Sequence, residues 1–240
     1  MELRKFIKTT ISEYLNESAK LDINYNNEAK RIYSKIKNNI QTIKFTATPN
    51  DDESEFVKDS RGKVHILKGV KFNLNQLDKK YDLDILLVNT IGKGSNHHYD
   101  QNVNRIVFFI ITQTENPLDF EENSRLARLR FNSWVDENLF IHEFIHYLDG
   151  NRYGDTYSFS TPKNDEEYYN SPEEYNAYSQ EIIRKVIKNK NNLIGLSFDM
   201  FLKKSLKFGR KEFISNLNDE FMKKLKNRLY KLYSELNSVG

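Results

Sequence analysis

The sequence contains no cysteine, and this absence excludes two kinds of structure at once. Neither a disulfide framework nor a thiolate metal site can form. Any protein metal site in this chain must therefore use histidine, aspartate or glutamate, and the chain has only five histidines. Long hydrophobic runs are missing too. The longest, IVFFII at residues 106–111, is far too short to span a bilayer, and the N-terminus lacks the apolar core of a signal peptide.

Charge is distributed unevenly along the 240 residues, although the formal net charge is only +3. Residues 181–240 carry 14 Lys and Arg against 6 Asp and Glu, whereas the remainder carries 23 against 28. Basic C-terminal helices can bind nucleic acid, but solvated lysine faces on amphipathic helices are commoner, so nucleic-acid binding is a secondary expectation. The length favours one domain with a sizeable core and helical appendages.

Hydrophobic periodicity places helices at both ends of the chain and strands in the middle. Helices are predicted over residues 2–17, over about 25–40, and from Leu118 to the C-terminus. Strands are predicted in QTIKFTAT, KVHILKGVKF, LDILLVNT and RIVFFIIT, with an acidic loop at 49–56 and a Gly-rich loop at 92–102. This order indicates an α+β fold with a small mixed sheet.

The run LFIHEFIHYLDG at residues 139–150 places two histidines and a glutamate in an otherwise apolar helix. Residues four apart share a helix face, about 6 Å apart, so His142 and His146 can bind one metal ion. Glu143 can hold a water, take its proton and pass it to a leaving amine. This is the HExxH pattern of zinc metallopeptidases. The alternative is a helix with two partly exposed histidines in salt bridges, but burying these groups without a metal is costly.

A third ligand must come from elsewhere, because a catalytic zinc site uses three protein ligands and one open position. The metzincin pattern would place that ligand six residues after His146, where Arg152 stands, so the sequence excludes that class. Asp149 is predicted to orient a histidine rather than to bind metal.

The segment NSPEEYNAYSQE at residues 170–181 provides the better candidate. Ser171 at the N-cap and Pro172 at the first helical position predict the start of a helix. Glu174 follows in its first turn as the candidate metal ligand. It can alternatively close a capping box with Ser171, and Glu173 is the fallback ligand.

These motifs resemble a known family. HEFIHYLD with a downstream ExxA helix resembles the gluzincin branch of zinc peptidases, and HEFIH…D…EEYNA is similar to the catalytic segment of the anthrax lethal factor group, over about residues 134–182. The resemblance implies a zincin-like fold, zinc bound by His142, His146 and Glu174, and Glu143 as general base.

The same resemblance implies a tyrosine near the zinc that stabilises the oxyanion. Tyr168 and Tyr169 lie closest ahead of the third ligand, and Tyr153 and Tyr157 are also available. Zincins further pair the substrate backbone with an edge strand of the sheet, and NRIVFFIIT is the predicted strand.

Two histidines outside the motif, His97 and His98, fall in the Gly-rich loop. We expect them to be solvated loop residues; the alternative is that they line the cleft or bind a second ion.

A separate pattern, YLNESA at residues 14–19, resembles the cleavage site used by prohead proteases of large tailed phages, with cleavage between Glu17 and Ser18. The preceding leader resembles a capsid-targeting segment. An Asn- and Lys-rich, Gly-poor composition fits an AT-rich phage genome and many bacteria equally well. The alternative is a first helix docked on the core.

The sequence therefore predicts a zinc-dependent metalloendopeptidase acting on protein or peptide substrates. It would have an N-terminal helical segment (1–40), a zincin-like catalytic domain (41–190) and basic C-terminal helices (191–240), in the cytoplasm or in a phage virion and not in a membrane. Manganese, cobalt or iron could replace zinc. The alternative is a structural or interaction protein, such as a virion component, whose metal site is closed by a fourth ligand such as Asp149, Glu173 or a loop histidine.

Overall fold

The structure is a computed structural model that describes residues 24–47, 56–58, 64–66, 68–90, 97–101, 103–111, 120–153 and 162–238. The predicted helix over residues 2–17 and the phage-like cleavage site at Glu17 lie outside these residues, as do most of the acidic loop and Tyr157.

The chain forms two compact units. One comprises Ala29–Gly150, and the other comprises Met1–Glu28 together with Asn151–Gly240. These bounds differ from those of the predicted segments, and the assignment of residues 41–190 as a catalytic domain stays a prediction.

The unit Ala29–Gly150 contains the strands. They are β1 (Thr46–Ala47), β2 (Phe56–Lys58), β3 (Val64–Ile66), β4 (Lys68–Asn73), β5 (Asp84–Thr90), β6 (His98–Asp100) and β7 (Arg105–Ile111). Five form one sheet in the order β1-β4-β5-β7-β6, and β2 and β3 pair separately. Only β5 and β7 run parallel; the other neighbours in the five-stranded sheet are antiparallel.

Both faces of β5 and β7 are buried, which explains why their sequences are unbroken apolar runs. Leu86, Val88, Val107 and Phe109 form a buried cluster on one face. The alternate residues of the same strands are buried as well. The predicted strands LDILLVNT and RIVFFIIT are thus confirmed as strands, and they pair with each other inside the sheet.

Three helices accompany this sheet: α1 (residues 24–39), α2 (Phe120–Trp134) and α3 (Glu137–Tyr153). Helix α3 packs against the sheet through aromatic rings. Phe140 stacks on Phe108 of β7 with ring centroids 6.0 Å apart, and Tyr147 meets Tyr99 of β6 at 5.8 Å. A Cβ added at Gly150 would lie 3.3 Å from the Tyr99 ring, so glycine permits this close approach. The HExxH helix therefore packs on this sheet.

The prediction that β7 is an edge strand is wrong for its first half. Residues 98–100 form β6 and pair with residues 105–107 of β7. Just beyond that pairing, the backbone N–H of Phe109 donates a hydrogen bond to Nδ1 of His97 at 3.1 Å. The short strand HYD lies inside a stretch whose glycines and asparagines predict a loop, and this is why periodicity missed it.

The second unit contains α4 (Asp165–Tyr169), α5 (Pro172–Lys188), α6 (Phe198–Leu206), α7 (Lys211–Asn216) and α8 (Asp219–Ser238). Its core is one aromatic and aliphatic cluster built from α5 to α8, in which Phe201, Phe213, Leu225 and Leu229 are fully buried. The predicted helix-rich block is confirmed. Within the part of the chain that the structure describes, no helix combines the length and apolar composition needed to cross a membrane.

Together these elements confirm the predicted α+β class with a small mixed sheet.

Candidate metal centre

Helix α3 carries two stripes of side chains. Phe140, Phe144 and Tyr147 follow the helical spacing of one buried face, and Phe144 stacks on Phe140 at 5.5 Å. His142 and His146 are displaced from that stripe by two residues, or about 200° around the helix. The aromatic stripe packs on the sheet, so the histidines lie on the other side of the helix.

The polar side chains of α3 are buried as well. Glu143, His146 and Asp149 are 4%, 3% and 2% exposed. Three ionisable side chains buried on consecutive turns of one helix carry a desolvation cost. A bound cation would offset that cost for the groups that contact it.

Helix α5 begins as the sequence predicts. Pro172 is its first residue, and the Ser171 hydroxyl accepts a hydrogen bond from the backbone N–H of Glu174 at 3.3 Å. The capping box is not formed, because the Ser171 N–H donates instead to the carbonyl of Tyr168 at 3.2 Å. The carboxylate of Glu174 is therefore not used to close the helix end.

His142, His146 and Glu174 form a group that can hold a metal ion. Each offers one ligand atom, and these atoms all lie within 4.8 Å of one another. Nδ1 of both imidazoles and one carboxylate oxygen of Glu174 are shielded from solvent, and the two imidazole rings meet at 4.9 Å, nearly perpendicular.

The donor set fits zinc. Two imidazoles and one carboxylate are a ligand set of catalytic zinc sites, in which bonds of about 2.0 Å space tetrahedral ligands about 3.3 Å apart. Small side-chain rotations bring atoms within 4.8 Å to that spacing. Glu173, the fallback ligand, is buried at 5% exposure but does not belong to this group.

The structure distinguishes the two candidate tyrosines. Both lie in the last turn of α4, and the hydroxyl of Tyr168 is hydrogen-bonded to Glu174 and to Tyr178. Burial, followed by the negative charge of Glu174, raises the pKa of Tyr168 well above its usual range. The ring of Tyr169 instead packs on Tyr178 and Phe213 at 5.2 and 5.9 Å.

Sequence reasoning missed Tyr178, which is hydrogen-bonded to Tyr168, and Arg210, which lies over the Tyr178 ring. Tyr178, one turn after Glu174 on α5, is 6% exposed, and burial, followed by the charge of Glu174, raises its pKa to about 12. Arg210 places its guanidinium carbon 5.1 Å from the centroid of the Tyr178 ring. Arg210 lies far along the sequence in a generally basic segment, so no local signal marks it.

The prediction that His97 and His98 are solvated loop residues is wrong for His98, which begins β6. His97 and His98 are both partly buried, and their rings lie 6.2 and 6.1 Å from that of Phe109. Burial lowers the pKa of His97. Neither residue belongs to a metal-ligand group among the residues the structure describes. The predicted orienting role of Asp149 stays a prediction.

Comparison of the chain with protein-family models, with curated proteins and with solved structures gives no match.

Proposed function

We propose that this protein is a zinc-dependent metallopeptidase that hydrolyses peptide bonds in protein or peptide substrates. The observation that carries the proposal is the convergence of His142, His146 and Glu174, whose ligand atoms lie within 4.8 Å of one another. The HExxH spacing supplies the first two ligands together with a buried glutamate between them. Two histidines and a glutamate as ligands, with a glutamate as general base, are the parts of an HExxH zinc peptidase site.

A zinc ion held by these three side chains would supply a Lewis acid for the scissile carbonyl and lower the pKa of a water. Glu143 acts as general base toward that water and then transfers the proton to the leaving amine. The Tyr168 hydroxyl is held at Glu174 by its hydrogen bond, and in the transition state it exchanges that bond for one donated to the oxyanion.

A catalytic role is favoured over a structural metal site by the number of ligands. A structural zinc site is closed by four protein ligands, whereas a catalytic site leaves one position open. The group comprises three residues within the described part of the chain, and neither Asp149 nor Glu173 belongs to it.

Metal content per chain tests the ligand assignment. We expect about one zinc per chain in the wild type, measured by inductively coupled plasma mass spectrometry. The metal should be lost in His146→Ala and Glu174→Ala. Glu173→Gln is the matched control, since it changes the neighbouring buried carboxylate outside the group. A wild type that binds no metal even when zinc is offered would end the proposal.

Activity of Glu143→Gln tests the mechanism. The substitution preserves shape but removes the base, so zinc content should be unchanged while cleavage of a proteome-derived peptide mixture falls by about 10²-fold or more. Full activity in the metal-replete variant would contradict the role of Glu143. Zinc without any cleavage by the wild type would favour a structural site.

A further inference from the structure

Arg210 is linked to the candidate third ligand by a short series of contacts within one unit. Its guanidinium lies over the Tyr178 ring at 5.1 Å. Tyr178 is hydrogen-bonded to Tyr168, and Tyr168 is hydrogen-bonded to Glu174. A permanent positive charge is therefore held two side chains away from Glu174.

The carboxylate paired with Arg210 is shared with a second cation. Glu181 is 10% exposed in its side chain and pairs with Lys185 at 2.7 Å, while Nε of Arg210 approaches it only to 3.5 Å. Lys185 also donates to the carbonyl of Phe208 at 2.9 Å, so it is held in place. Glu181 thus has a closer partner than Arg210, and the three side chains together carry a formal charge of +1.

Half of the Arg210 side chain is open to solvent. Its relative exposure is 50%, against 32% for Lys185. The contact to Glu181 is made through Nε, which leaves the two terminal nitrogens for another acceptor. Arginine binds carboxylates through paired parallel hydrogen bonds, and stacking on an aromatic ring holds the guanidinium plane in a fixed orientation.

The backbone at Arg210 is also fixed close to α5. A Cβ added at the preceding Gly209 would lie 2.9 Å from Cδ1 of Ile182 and 3.0 Å from Cδ1 of Ile214. Glycine therefore lets this turn approach the helix that carries Glu174. The Arg210 carbonyl accepts a hydrogen bond from the N–H of Ile214 at 3.0 Å, which anchors the residue at the start of α7.

We propose that Arg210 is a specificity-determining residue that binds a carboxylate of the peptide substrate. This inference rests on the proposed peptidase function and names its substrate class, which is peptides bearing an acidic side chain or a free C-terminal carboxylate near the scissile bond. Arg210 contacts Glu181 only through Nε at 3.5 Å, whereas Lys185 binds the other carboxylate oxygen at 2.7 Å.

The test uses the full chain, loaded with zinc and carrying Glu143→Gln so that peptides bind without being cleaved. Four randomised synthetic peptide libraries of equal length combine either glutamate or glutamine with either a free or an amidated C-terminus. The peptides retained by the immobilised protein are quantified by mass spectrometry. The same libraries are applied to proteins that also carry Arg210→Met, Arg210→Lys or Lys211→Met.

We expect retention of carboxylate-bearing peptides about tenfold above that of the glutamine amides, as one well-formed charged pair allows. The library that is enriched identifies the source of the carboxylate. Arg210→Met should abolish the preference and Arg210→Lys should reduce it. Lys211→Met removes the same charge at the neighbouring exposed position and should preserve it.

Equal retention of all four libraries by the zinc-loaded protein would overturn this inference alone, as would a preference that survives Arg210→Met. If Arg210→Met does not fold by circular dichroism, an unchanged preference in Arg210→Lys overturns it instead. Failure of the wild type to bind zinc is measured separately; it removes the proposed function, and this inference falls with it.

Discussion

Metal binding at the candidate centre should raise the free energy of unfolding. Glu174→Gln is the substitution that tests this effect most directly. Glutamine keeps the shape of the side chain and can still accept the hydrogen bond from Tyr168, but it is a much weaker zinc ligand. Without metal, the variant avoids the cost of a shielded carboxylate. We therefore expect the variant to be at least as stable as the wild type in chelator, and less stable in zinc.

The zinc-induced stabilisation of the wild type should exceed that of Glu174→Gln, because the variant loses one of three ligands. A zinc dissociation constant of about 1 nM is within the range of protein zinc sites, and about 1 µM free zinc would then stabilise the wild type by about 4 kcal/mol. An affinity lowered about 100-fold leaves only about 1.4 kcal/mol of that gain. The difference of about 2.7 kcal/mol corresponds to about 5–11 °C in Tm for a chain of this size.

Thermal unfolding followed by circular dichroism, with chelator and with about 1 µM buffered free zinc, measures this difference. Glu173→Gln is the control and should respond to zinc as the wild type does. An equal zinc-induced shift in the wild type and in Glu174→Gln would refute the assignment of Glu174 as a ligand. If the zinc-induced shift in Tm is lost in Glu173→Gln instead, Glu173 is the third ligand.

Three further predictions concern the tyrosine, an ion pair and the core. Tyr168→Phe should keep its zinc but lower kcat by about 10²-fold through loss of the oxyanion donor, whereas Tyr169→Phe should change kcat little; equal effects in steady-state assays would contradict the assignment. Hydrogen bonds from two cationic side chains of α1 hold the pKa of Asp78 well below its usual range, so the pairing stabilises the fold above the unfolded-state pKa of about 4. That contribution, about 1 kcal/mol at most for such half-exposed partners, is lost as the pH falls below about 4 toward the lower folded-state pKa. Urea unfolding should therefore show a gap between the wild type and Asp78→Asn that narrows with acid, and a gap that widens would contradict the pairing. Phe140→Ala should lower the free energy of unfolding by about 3–5 kcal/mol because this fully buried ring contacts three others; a loss below about 1 kcal/mol would contradict that packing.

The motif helix and its partner helix were predictable because their signals are local. His142 and His146 need only the four-residue spacing of one helix face, and Ser171 with Pro172 marks a helix start within two residues. The central strands were predictable for a related reason, since burial on both faces produces an unbroken apolar run.

Features set by distant contacts could not be predicted in this way. The three-residue strand β6 is too short for an alternation to be recognised, and it exists because β7 pairs with it. Tyr168 and Tyr169 are adjacent and chemically identical, so only the packing of α4 decides which hydroxyl reaches Glu174. The position of Arg210 over Tyr178 depends on how the turn before α7 approaches α5.

The two opposed stripes of α3 have a consequence for how the sequence can change. One set of α3 residues packs on the sheet, and a separate set belongs to the candidate metal centre. Because no residue belongs to both sets, substitutions in one set leave the chemistry of the other intact. The aromatic set could be randomised in a library while the histidines are held fixed, and selection for stability would not alter the ligands. An insertion of one residue between Phe140 and His142 is different, because it rotates Phe140 by about 100° relative to Phe144 and Tyr147 and so divides the aromatic stripe. The helix therefore tolerates exchange of its side chains more readily than any change in its length.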